Sequence, residues 1–223
     1  MAAASIDTLS AQFLPAGDEL WDDIRHLAGQ FTAAAPGSND WTVMWHHFLL
    51  AVGNFKRQGG TRLFPAPLPQ STAPPTPGQV VVPGRGSGCE ASLKLDVAAP
   101  ATWQQLQTAT AGLGTATTTT LLAALWPDRH FIFDERVLNA ANGLRIAEGD
   151  LPMAGVDPAS NLKAASTLDH YIEVHSWVSA TAQLVGRPLQ AVERALYIAG
   201  RAAGTVPGRT WFDYAAAVRK IVS

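Results

Sequence analysis

Apolar residues recur at spacings of three and four along much of the chain, the signature of helices with one buried face. Over Gly17–Ala35 the spacing sets Leu20, Trp21, Ile24, Leu27, Ala28 and Phe31 on one side, which predicts an amphipathic helix. Asp40–Phe55 repeats the pattern with Trp41, Met44, Trp45, Phe48, Leu49 and Val52, and Asn39 or Asp40 serves as its start signal. The pattern then stops. Phe64–Glu90 holds seven of the fifteen prolines and four glycines, a composition that predicts a long loop or linker, with a short strand weakly indicated at Gln79–Val82. Helical spacing returns after Pro100. A short helix is expected over Ala101–Thr108, a tight glycine turn over Ala111–Thr115, and a helix over Ala116–Trp126 that Pro127 ends. A brief extended run follows at His130–Phe133, and Glu135–Asn142 begins another helix. Ser160–Val185 predicts a long helix with Leu168, Tyr171, Ile172, His175, Val178 and Val185 turned inward. Pro188–Ala203 and Trp211–Ile221 complete an all-α inventory with no internal repeat.

A chain of 223 residues accommodates one sizeable domain or two small lobes. The expected division is a helical lobe over residues 1–63, the Pro/Gly-rich linker over 64–90, and a second helical lobe over 91–223. Apolar stretches such as Leu121–Trp126 are too short to cross a bilayer. The opening MAAASIDTLS has neither the positive charge nor the apolar run of a secretory signal. The expectation is a cytoplasmic monomer with no membrane partner. Cys89 is the single cysteine, so an internal disulfide, a cysteine-rich zinc site and a four-cysteine iron–sulfur cluster are excluded within this chain. The six histidines offer no metal-binding spacing; His46 and His47 are adjacent and point to different sides of a helix.

The net charge of −2 runs against a partner rich in phosphate, but its distribution changes that picture. Residues 1–40 carry six acids and one base, a charge of −5, while residues 41–223 carry twelve acids and fifteen bases, a charge of +3. The acidity is local, and the remainder has enough positive charge for a modest basic face.

Candidate chemistry concentrates in Leu106–Val137, LQTATAGLGTATTTTLLAALWPDRHFIFDERV. Gly112 and Gly114 flank Leu113 between two expected helices, and glycine permits a sharp turn and close approach to another surface. The helix that follows opens with amides lacking intrahelical partners and with the positive end of its dipole, a ready site for an anion. The residues Gly112, Leu113, Gly114, Thr115, Ala116 and Thr117 are therefore candidates to hold phosphate without any charged side chain. A plain structural turn is an equally good account of the glycines taken alone. Four consecutive threonines, Thr117–Thr120, are poor helix formers and weaken the expectation of a helix there.

The order of helix, glycine hairpin, helix, proline stop, apolar run and aspartate resembles the helix-hairpin-helix–Gly/Pro/Asp superfamily of DNA glycosylases. Members carry a hairpin of the form L-P-G-V-G-x-x-T-A, then a helix, a short apolar stretch and a catalytic aspartate; here the two segments read AGLGTATTT and HFIFDERV. The eighteen-residue separation of Ala116 from Asp134 is also similar. Further on, Trp177, Gly186, Leu189 and Glu193–Leu196 are similar to the tails of small bacterial members without an iron–sulfur cluster.

The resemblance implies two helical lobes with a cleft between them, and double-stranded DNA bearing a damaged or modified base as the partner. It makes Asp134 the catalytic residue and the hairpin the phosphate holder. It places the backbone carbonyls of Thr108, Thr110 and Leu113 around a structural K+ or Na+, no cofactor being required for the reaction. Ala116 stands where bifunctional members place a lysine that attacks the sugar, so the implied activity is hydrolysis of the N-glycosidic bond without strand cleavage. The biological setting would be base-excision repair or defence against phage DNA with modified bases. Ala111 departs from the family's proline.

Each assignment has a plainer counterpart. Asp134 also fits as the N-cap of the helix beginning at Glu135. Lys56, Arg57 and Arg62 are candidate phosphate contacts or a solvated helix end. Trp45, His46, Trp103 and Trp126 are candidates for stacking on a flipped base, or simply core. For the whole chain the alternatives are a non-catalytic helix-hairpin-helix DNA-binding module and a helical protein-interaction domain.

Overall fold

Two helices, α1 (Glu19–Ala33) and α2 (Asn39–Phe55), open the first long stretch of the computed structural model, which describes residues 6–7, 19–56, 64–65, 79–83, 92–96, 106–107, 110–111, 113–153, 155–160, 162, 167–204 and 210–222. The start of α2 lies one residue before the expected signals. Ser38 is extended, and its hydroxyl accepts the Trp41 amide at 3.1 Å, while Asn39 and Asp40 are already inside the first turn. The chain divides into two compact units, Gly17–Trp126 and Met1–Ala16 with Pro127–Ser223.

In Gly17–Trp126, α1, α2 and α3 (Thr115–Leu125) pack together. Ile24, Ala28 and Phe31 of α1 and Trp41, Trp45, Phe48, Leu49 and Val52 of α2 are buried, as their spacing predicts. Phe31 and Trp45 bring their ring centres to 4.9 Å in a tilted contact. Leu20 is the exception: it was expected inside and is 55% exposed, because it sits in the first turn of α1 where the apolar face is only beginning.

Helix α3 is buried on every side from Thr117 to Leu125. The threonines survive there because most of them satisfy their own hydroxyls. Thr118 Oγ1 donates to the Gly114 carbonyl at 2.9 Å, Thr119 to Thr115 at 3.2 Å, and Thr120 to Ala116 at 2.7 Å. Propensity was overridden by burial with local hydrogen bonding.

Four short strands interrupt the helical pattern. β1 (Phe64–Pro65) pairs antiparallel with β4 (Thr110–Ala111), and β2 (Gln79–Pro83) pairs antiparallel with β3 (Ser92–Asp96), placing Val81 opposite Lys94. The Pro-rich segment expected as loop thus contains strands. Val80–Val82 supplies β-branched residues, and the two prolines sit at strand ends where a missing amide is tolerated. The segment before the glycine turn, expected to be helical, is helical at Leu106 and Gln107 but strand-paired at Thr110.

In the other unit, α4 (Glu135–Ala147) packs against α5 (Leu168–Val185), α6 (Leu189–Ala203) and α7 (Trp211–Val222), and α6 packs against α5 and α7. α5 begins at Leu168, not at Ser160. Residues 157–160 form a turn in which the Asp157 carboxylate accepts the Ala159 amide at 2.9 Å and its carbonyl accepts the Ser160 hydroxyl at 2.6 Å. Thr167 then caps α5, accepting the His170 amide at 3.2 Å. With that start, Tyr171, Val174 and Val178 face inward and Ile172 is exposed. Gly186 closes α5 with φ 64° and ψ 32°, a left-handed conformation that suits glycine. Asn142 accepts the Met153 amide at 2.7 Å and ties the loop after α4 back to that helix.

Helices dominate the described residues, so the all-α character holds apart from the two strand pairs. No helix among these residues is long and apolar enough to cross a membrane.

Candidate active site

Asp134 follows His130–Phe133, a segment without regular secondary structure in which Phe131 and Phe133 are fully buried and anchor the chain. Its own backbone is extended, with φ −142° and ψ 179°, and it is the N-cap of α4. Oδ1 accepts the amides of Arg136 at 2.9 Å and Val137 at 3.2 Å. Oδ2 is left out of the cap and has the Arg136 guanidinium 3.9 Å away. The Asp134 side chain is 20% exposed and that of Arg136 is 52% exposed, so solvent screens the pair and it contributes little to stability. The carboxylate is therefore fixed in direction by two backbone amides with one oxygen turned away from them.

Tyr214 on α7 lies close enough to Asp134 and Glu135 that, after burial, their charges are the next causes holding its phenol proton above the ordinary value. The Tyr214 hydroxyl donates to the Gly200 carbonyl at 3.2 Å, and Gly200 itself lies against the Arg136 backbone.

The hairpin belongs to the other compact unit. Leu113 is half-buried, Gly114 is exposed, and Gly112 lies outside the described residues. Gly114 is the N-cap of α3 with φ −90° and ψ 174°, and it provides no side-chain cap. A Cβ there would meet nothing within 4 Å. Among the described residues neither backbone strain nor packing demands glycine at that position. Thr115 and Ala116 are half-buried, and Thr117 is 1% exposed. Whatever Thr117 offers an anion must come from its backbone.

Its hydroxyl is buried without a hydrogen-bond partner among the described residues. Thr117→Val keeps the shape and removes that group, and should stabilise the protein by about 1 kcal/mol. For a chain of this size the melting temperature should rise by roughly 2–4 °C in a thermal scan.

The remaining candidates are scattered. Lys56 is the C-cap of α2, its Nζ 5.7 Å from the Phe55 ring centre; Arg57 and Arg62 lie outside the described residues. Trp45 is sealed in the core, and His46, next along the helix, is exposed, so the two do not share a face. Trp126 is half-buried at the end of α3, and Trp103 lies outside the described residues. Of the carbonyls implied for a monovalent cation, that of Thr108 lies outside the described residues. Thr110 is paired with Pro65 in the β1–β4 ladder, and Leu113 is in the loop before α3. Among the described residues no group of three or more His, Cys, Asp and Glu could hold a metal ion.

Two features beside Asp134 escape the sequence. The first is a clamp from α5 on the segment that delivers the aspartate. The Tyr171 hydroxyl and His130 Nδ1 share a hydrogen bond at 2.9 Å, and His175 Nε2 donates to the Arg129 carbonyl at 2.6 Å. Phe131, Phe133, Tyr171 and His175 form one aromatic cluster. Helical spacing marks Tyr171 and His175 as neighbours, but nothing in the sequence marks their partners forty residues earlier.

Burial pushes the Tyr171 phenol well above its ordinary value of 10, with the Phe131 backbone hydrogen bond acting weakly the other way. A phenol that keeps its proton longer in the fold contributes stability in full below pH 10 and loses it as pH rises further. Above that point stability should fall by up to about 1.4 kcal/mol per pH unit for each such tyrosine. Tyr171→Phe should flatten the decline of melting temperature with alkaline pH; an unchanged slope would rule out this contribution.

The second feature is a pair of arginines around one tyrosine. Arg136 Nη1 donates to the Tyr197 hydroxyl at 3.1 Å, and the Arg136 and Arg194 guanidinium carbons lie 5.3 and 5.4 Å from the Tyr197 ring centre. The three-residue spacing of Arg194 and Tyr197 on α6 was readable in advance; the arrival of Arg136 from α4 was not.

Comparison of the chain with models of protein families, with curated proteins and with solved structures finds no match.

Proposed function

We propose that this chain is a monofunctional DNA glycosylase: it hydrolyses the N-glycosidic bond of a damaged or modified base turned out of the duplex and leaves an abasic site. The observation that carries the reading is the state of Asp134. One of its oxygens is locked by two α4 amides, and the other is uncommitted to the cap. As the base departs, C1′ of the sugar takes on positive charge. A fixed carboxylate stabilises that charge and orients the water whose oxygen bonds to C1′. The departing electron pair goes to the base, which takes up a proton.

The accompanying role for the hairpin rests on the exposed Gly114 at the start of α3, where the first amides of the helix lack intrahelical partners. Ala116 offers no amine, so the proposal includes no strand cleavage. Two helical lobes with a cleft for the flipped nucleotide belong to the same proposal, as do a monovalent cation at the hairpin carbonyls and a setting in repair or in defence against modified phage DNA.

The test is incubation with duplexes bearing normal, damaged and hypermodified bases, followed by hot alkali to cut at abasic sites. Release from any of them by the wild-type protein, absent in Asp134→Asn, supports the reading. The capping geometry also favours a second reading, a DNA-binding module in which Asp134 serves the helix alone. Wild-type binding with no release across the panel would select it.

A further inference from the structure

From the geometry of α4 and α6 we infer that Arg136, Tyr197 and Arg194 form a second phosphate-binding site, which grips the DNA backbone beside Asp134. The inference rests on the DNA reading and adds a contact surface outside the hairpin. Arg136 leaves α4 in its first turn, while Tyr197 and Arg194 stand three residues apart on α6. Both guanidinium groups lie against the same phenol ring, at 5.3 and 5.4 Å, so the two positive charges sit within about 11 Å of each other.

Among the described residues Arg194 has no carboxylate partner, and the nearest one to Arg136 is the Asp134 Oδ2 at 3.9 Å. Neither arginine is buried. Stacking on an aromatic face restrains a planar guanidinium while leaving its N–H edge free to meet phosphate oxygens. Half-buried Tyr197 thus acts as a rigid platform, and its hydroxyl, accepting from Arg136, fixes the orientation of one fork.

Charge complementarity names the occupant. A duplex presents a negative charge about every 1.7 Å along its axis, so a pair of arginines this close spans neighbouring phosphates rather than one isolated anion. The Arg136 guanidinium lies 3.9 Å from the Asp134 Oδ2, so the clamp would seat the backbone beside the carboxylate.

The experiment is duplex binding by the full chain from 50 to 200 mM salt, comparing wild type with Arg136→Gln, Arg194→Gln and the double variant. Base release is measured in the same samples. Both substitutions are at exposed positions, and melting curves check that the fold is kept. Each lost phosphate contact should reduce the slope of log affinity against log salt by about 0.9, so that the affinity lost across this range shrinks by about 3.5-fold per arginine. Slopes reduced in the variants support the clamp, whether or not base is released; slopes reduced without any release reject the glycosylase reading alone. Wild-type slopes in all three folded variants overturn the clamp and leave that reading standing. No wild-type affinity even at 50 mM salt overturns both.

Discussion

Asp134→Asn should slow the proposed base release about a thousandfold while leaving the fold and DNA binding intact. Asparagine caps helices about as well as aspartate, and its side-chain oxygen can accept the same Arg136 and Val137 amides. What the substitution removes is the negative charge. A carboxylate about 4 Å from a developing sugar cation, at an effective dielectric of roughly 20, contributes on the order of 4 kcal/mol. Exerted mainly in the transition state, that is about a thousandfold in rate. Asp134→Ala should lose the same activity and, in addition, about 1 kcal/mol of stability from the missing cap. The contrast separates the proposed catalytic role from the cap. Single-turnover release from whichever duplex the wild type acts on, measured beside melting curves, reads both. An asparagine variant that releases base at the wild-type rate would leave Asp134 as a cap and nothing more.

The helices were legible because their signals are local. Trp41, Trp45, Phe48, Leu49 and Val52 are buried where three- and four-residue spacing puts them, and Pro127 follows the end of α3. The errors share a cause. Strands β1 and β4 join Phe64 to Ala111, and no pattern within either dipeptide announces a partner so far along the chain. The start of α5 was missed because Ser160–Val185 continues its apolar spacing through the turn at 157–160, where the Asp157 hydrogen bonds decide the backbone. At the site, the capping role of Asp134 is readable from residue types. The surroundings of Asp134 were not: Tyr197, Gly200 and Tyr214 come from helices sixty to eighty residues away, and only the folded chain brings them to the first turn of α4.

Gly200 makes that dependence measurable. By sequence alone Gly200→Ala looks favourable, since replacing glycine inside a helix gains about 1 kcal/mol. The structure reverses the sign. A Cβ at Gly200 would lie 2.3 Å from the Arg136 carbonyl oxygen and 2.9 Å from its carbon, far inside contact distance, and both atoms are backbone. No rotamer change relieves the clash, so α6 or the first turn of α4 must move. Overpacking of this kind costs about 1–3 kcal/mol and more where the neighbour is rigid, so after the helix gain a net loss of about 2 kcal/mol is expected. The melting temperature should drop by roughly 4–8 °C. The displaced turn is the one whose amides hold Asp134, so activity should fall further than stability does. A misplacement of about 1 Å costs up to roughly a hundredfold in rate. Release measured well below the variant's melting temperature, where the chain is folded, isolates that effect. A variant as stable as the wild type would show that α4 and α6 do not meet as closely as Gly200 and Arg136 imply.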